Sequence, residues 1–153
     1  MSRRFEFSLQ KVLDIRRKLE DQLAAELQRV IARRREEEER LASLQREKTG
    51  LLNGPGDAGR TIGLNDIRVR GDYLSQLDDR MDRQRAVIQR WTKSEAAARQ
   101  KLLQASHDKR MVEKLRERSL ADHRRKQLAA ETLQESEVAL RITLNRKHED
   151  SRE

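Results

Sequence analysis

Apolar residues recur at steps of three and four along almost the whole chain. In the first third, Phe5, Leu9, Val12, Leu19, Leu23, Leu27, Val30, Leu41, Leu44 and Leu51 keep that spacing, which predicts a helix over residues 8–52 with one apolar face. Ser8 stands where a side chain could cap its start. A second series, Ile67, Leu74, Leu77, Met81, Ile88, Trp91, Ala98, Leu102, Ala105, Val112 and Leu115, predicts a helix over residues 65–145 with Asn65 or Asp66 as its cap. Beyond Leu115 the stripe thins to Ala129, Leu133 and Leu140. Stripes so narrow and so long are coiled-coil seams, and neither helix can bury its own.

Residues 53–64 break both patterns. Gly50, Gly54, Gly56, Gly59 and Gly63, five of the six glycines, cluster over residues 50–65 with Pro55, the single proline, so this connector stops one helix and reverses the chain. The expected fold class is all-α: two long helices forming an antiparallel coiled-coil hairpin, the second longer than the first, in one domain over residues 1–153. At about 1.5 Å per residue the helices would run roughly 70 Å and 120 Å, so the far part of the second must project unpaired, bend back or lie against another protein, and is expected to fray in isolation.

Composition narrows the class further. Only 35% of the 153 residues are hydrophobic and 41% are charged, too little apolar material for a globular core. Disorder is disfavoured by the dominance of Leu, Ala, Glu, Gln, Lys and Arg, all good helix formers. There is no cysteine for a disulfide or thiolate. No apolar run approaches the roughly 18 residues of a membrane span, and the N-terminus lacks a signal-peptide core, so a cytoplasmic protein is expected.

The charges first suggest a solvated surface. Arg33-Arg34-Arg35 precedes Glu36-Glu37-Glu38-Glu39, which predicts the i,i+4 pairs Arg33–Glu37, Arg34–Glu38 and Arg35–Glu39, each contributing a few tenths of a kcal/mol. The net charge of +8 is spread along the chain, with 13 basic and 10 acidic residues in the first 50 and 22 and 17 in the rest. Its densest patch, HRRK at 123–126, has no aromatic neighbours to stack bases, so salt-sensitive contact with polyanions is expected and specific nucleic-acid recognition is not. A basic helical surface equally suits an acidic protein partner.

The stretch Gly54 to Thr61, GPGDAGRT, is one residue from a phosphate-binding loop. Arg60 stands where that pattern needs lysine, and no apolar β-branched strand leads into Gly54, so the glycines serve a turn. His107, His123 and His148 are not at the i,i+4 spacing of a helical metal pair. Carboxylates on exposed faces have nothing to raise their pKa, and two paired helices enclose no pocket. No enzyme, cofactor or metal is expected.

Phe5 to Glu20, F-E-F-S-L-Q-K-V-L-D-I-R-R-K-L-E, resembles the N-terminal signature of the FliJ family, small coiled-coil proteins of the flagellar type III export apparatus. Tyr73-Leu74-x-x-Leu77, Gln84 and Ile88-Gln89-x-Trp91-Thr92 resemble its second helix, and the plan of short helix, connector and long helix is the family's own. The resemblance implies a non-enzymatic stalk similar to the central shaft subunit of rotary ATP synthases. It implies binding to the hexameric export ATPase FliI with promotion of its assembly or activity, a link to the export gate FlhA, and help in recycling export chaperones. Such a protein is cytoplasmic and meets the inner membrane at the flagellar base through its partners.

Carried over by residue, the ATPase-binding candidates are Phe5, Phe7, Leu9, Val12 and Leu13. The gate-binding candidates are Tyr73, Leu77, Arg80 and Gln84, with Arg80 where the family has a smaller residue. Leu9, Val12 and Leu77 also fit the seam. The injectisome counterparts, the YscO-like stalks, share this architecture. A reading of another class is a structural or nucleic-acid-binding basic coiled coil.

Overall fold

The computed structural model describes residues 4–53, 59 and 61–150, with side chains to residue 148. Gly54, Pro55, Gly56, Asp57, Ala58 and Arg60 of the connector, and with them most of GPGDAGRT, lie outside the described residues. Among those described there are two helices and no strand: α1, Gln10–Leu52, of 43 residues, and α2, Leu64–Asp150, of 87. They pack antiparallel as a coiled coil, with the second the longer.

The ends of the helices differ from the sequence reading by a few residues. Ser8 and Leu9 form a turn in which the Gln10 amide donates to the Phe7 carbonyl (3.1 Å) and the Leu13 amide to Leu9 (3.0 Å), so Leu9 rather than Ser8 begins the helical ladder. At α2 the amides of Asp66 (3.0 Å) and Ile67 (3.2 Å) both donate to Gly63, which takes the cap position expected for Asn65 or Asp66. Asp66 instead sits in the first turn, where a carboxylate favours the positive end of the helix dipole. Gly59 has φ of 104°, a left-handed conformation that glycine adopts without steric cost. The far end of α2 runs past residue 145, with Lys147 and His148 in its last turn opposite the sign of the dipole there.

The seam follows a period of seven. Along α1, Leu13, Glu20, Leu27, Arg34, Leu41 and Lys48 form one row, and Arg16, Leu23, Val30, Glu37, Leu44 and Leu51 the other; every one is buried or half-buried. Along α2 the rows are Leu77, Gln84, Trp91, Ala98, Ala105, Val112 and Leu74, Met81, Ile88, Glu95, Leu102, Lys109, again all buried or half-buried. A strict seven-residue repeat keeps the same stripe facing its partner only if the helices supercoil left-handedly. Val12, Leu19 and Leu115, which a looser three-and-four spacing admits, fall off these rows and stay exposed, while Leu9 and Ile67 continue the rows one step further and are exposed as well.

Contacts divide the chain into two units, Met1–Lys18 with Ser106–Glu153, and Leu19–Ala105. In the second, Leu27, Leu77, Met81, Ala98 and Ala105 are buried, and so are two carboxylates, Glu37 and Glu95. Glu95 accepts from Arg34 at 2.6 Å across the seam and from Arg99 at 2.6 Å on its own helix. Glu37 accepts from Gln84 at 2.6 Å across the seam and from Arg40 at 2.9 Å. These bonds make the burial of charge tolerable. They also revise the expected block of i,i+4 pairs. Arg34–Glu38 forms (2.5 Å), but Arg33 meets Glu36 (3.0 Å), because Glu37 turns into the seam, and Glu39 is taken by Arg46 (2.7 Å).

In the first unit Leu13 is fully buried and the pairing is held by Arg16–Asp108 (3.3 Å) and Arg17–Glu113 (3.8 Å). The Phe5 ring lies 5.5 Å from that of His123, tilted by 49°. From Leu128 to His148 every residue is exposed, although the helix continues.

Candidate functional site

Two sets of side chains were expected to meet partners, and each falls within one unit. In the first, the turn before α1 holds Phe5 and Phe7 half-buried, two residues apart. They line a shallow notch with Arg4, Lys11 and Arg116, so an apolar floor is ringed mostly by positive charge. Leu9 and Val12 follow on the outer side of the first turns, 40% and 39% exposed. Leu13 is different: at 0% exposure it packs in the seam and fixes the orientation of the turn that carries the others. This surface can bind an apolar side chain flanked by carboxylates.

The second set lies on α2 in the other unit. Tyr73 is half-buried and its hydroxyl donates to the Glu47 carboxylate of α1. That bond holds the phenol above its ordinary pKa, with burial and the Glu47 charge acting the same way and Arg80 opposing them. Lys48 and Asp78 pair beside it at 2.5 Å. Leu77, fully buried, belongs to the seam, as does Gln84, which donates to the Glu37 carbonyl (3.0 Å) and carboxylate (2.6 Å). Of the four expected residues, Tyr73 and Arg80 are therefore open to a partner, and Leu77 and Gln84 anchor the helix beneath them.

Sequence reasoning missed Glu47 as the partner of Tyr73 and Glu37 and Glu95 as seam residues. Counting sevens from Leu23 would have put a carboxylate in the seam at 37, and counting from Leu74 another at 95. Charge composition alone gives no such signal. Among the described residues no group of three His, Asp or Glu side chains is arranged to hold a metal ion. Among the described residues no helix is long and apolar enough to cross a membrane.

The comparisons with known proteins agree with this geometry. A family model described as the flagellar FliJ protein matches residues 5–148, nearly the whole chain. Neither the curated proteins nor the solved structures gave a match.

Proposed function

This chain belongs to the FliJ family of flagellar, export-related proteins, and from that premise we propose that it is the coiled-coil stalk of the export apparatus, bound to the hexameric ATPase FliI. The observation that carries the reading is the family match over residues 5–148 on a chain whose two helices pair along a seven-residue seam. The ATPase contact lies on Phe5, Phe7, Leu9 and Val12, with Leu13 holding the turn from beneath. An apolar patch ringed by Arg4, Lys11 and Arg116 favours a partner surface of opposite charge and promotes the assembled ring by binding it better than its separate subunits.

The export gate FlhA is met by Tyr73 and Arg80, with Leu77 and Gln84 beneath. Linking the two partners and helping export chaperones return to use needs no catalytic group on this chain, which takes no cofactor. Its place is the cytoplasm, peripheral to the inner membrane through FliI and FlhA.

Mixing the purified full chain with FliI tests this. Co-elution of the two and faster ATP turnover than FliI alone are expected; separate elution with unchanged turnover would remove the proposal.

A further inference from the structure

A groove on one side of the Leu19–Ala105 unit begins at Arg80 and runs on past the gate-binding candidates. Leu44 of α1 and Val87 of α2 form its floor, and Arg40, Arg80 and Arg83 its rim, around a notch of about 470 Å³. Arg80, Arg83, Gln84 and Val87 stand at i, i+3, i+4 and i+7 on α2, and Arg40 and Leu44 at i and i+4 on α1, so each helix supplies one stripe beside the seam. A third helix laid between two paired ones touches these positions.

The arginines on this rim differ from several that flank it, though Arg35 and Arg90 on the same unit also lack an ion pair among the described residues. Arg33, Arg34, Arg46 and Arg85 are matched by Glu36, Glu38 with Glu95, Glu39 and Asp82. Neither Arg83 nor Arg80 has an ion pair among the described residues, and Arg80 lies near the Tyr73 phenol. Arg40 shares Glu37, whose carboxylate points into the seam, and remains 64% exposed. Guanidinium groups with open donors over an apolar floor match carboxylates beside an apolar side chain.

We propose that this groove takes a short acidic amphipathic helix of a partner protein, packed along α1 and α2 as a third strand. Its apolar side chain sits on Leu44 and Val87, and its carboxylates meet Arg80, Arg83 and Arg40. A nucleic acid or an anionic bilayer suits the groove less. Asp78, Asp79 and Asp82 interleave the arginines along α2, so an evenly charged polyanion meets repulsion where a helix with a few placed carboxylates does not. The inference rests on the reading of Tyr73 and Arg80 as the gate-facing surface and extends that surface across the seam to α1.

Arg83→Glu tests it, because Arg83 is exposed, has no partner to lose and lies outside the four gate-binding candidates. Arg125→Glu, on the other unit, carries the same change of charge. The full chain is titrated with a helical leucine–glutamate peptide, its leucine–lysine counterpart, detergent-solubilised FlhA, single-stranded DNA and anionic vesicles. Arg83→Glu is expected to weaken the acidic peptide and FlhA by about tenfold or more, and Arg125→Glu by less than about twofold. The lysine peptide should not bind. Equal losses in the two variants, or an Arg83→Glu chain that binds as the natural one does, would overturn the groove. So would a loss seen only with single-stranded DNA or anionic vesicles. Should Tyr73→Ala weaken FlhA while Arg83→Glu does not, the groove fails and the gate reading survives. Should the acidic peptide show the expected pattern while FlhA binds no form of the chain, the gate reading fails instead.

Discussion

Leu77 and Tyr73 are one helical turn apart and do different things. Leu77 has no exposed surface, and truncating it to alanine removes most of its buried apolar area and leaves a gap that two helices can only partly close. Leu77→Ala should therefore cost about 2–5 kcal/mol, read as a lower unfolding free energy by calorimetry; a loss within experimental error would mean the seam is not packed there. Tyr73 is the single tyrosine, so its titration can be followed without ambiguity by NMR. With Glu47 accepting from the hydroxyl, the phenol should titrate above 10.0, and Glu47→Gln should bring it back down. Since the folded pKa is the higher one, the stability from this bond is present below the unfolded value and is lost as pH rises through the folded one. An unchanged titration in Glu47→Gln would show that Glu47 does not hold the proton in place.

At the scale of the helices, pairing is uneven. Residues 128–148 of α2 are exposed throughout and have no packing to support the helix, whereas residues 77–105 lie against α1. Amide hydrogen exchange should be fast over 128–148 and slowest near Leu77, Met81 and Ala98. Equal protection along α2 would require a contact for the distal segment. The sequence shows the two helices and their inequality plainly, because Leu and Ala spacing carries over many turns and glycine concentrates at one connector. It shows the register poorly. Three-and-four spacing does not separate Leu13, which is buried, from Val12, which is 39% exposed; only the seven-residue count does. The pairing of Arg34 with Glu95 and of Gln84 with Glu37 lies beyond local reading altogether, since the partners are 61 and 47 residues apart. The candidate contacts were legible as residue types through the resemblance. Which of them face outward depended on that long-range register.

For the molecule as a whole, the question is whether its charge or its faces select partners. A chain with net charge +8 attracts any polyanion, but the excess is dispersed, so single-stranded DNA should bind weakly, without sequence preference, and fall away linearly on a log–log plot as salt rises. The proposed association with FliI, if it rests on an apolar patch as well as charge, should persist at salt that abolishes DNA binding. Loss of both in parallel would favour the structural or nucleic-acid-binding reading. One placement also governs how such experiments are watched. Tyr73 and Trp91, the single tyrosine and the single tryptophan, both belong to Leu19–Ala105. Intrinsic fluorescence therefore reports the melting of that unit alone. Opening of the other, where Phe5 and His123 meet, would leave the emission spectrum unchanged, and a transition that looks two-state by fluorescence would hide an earlier one.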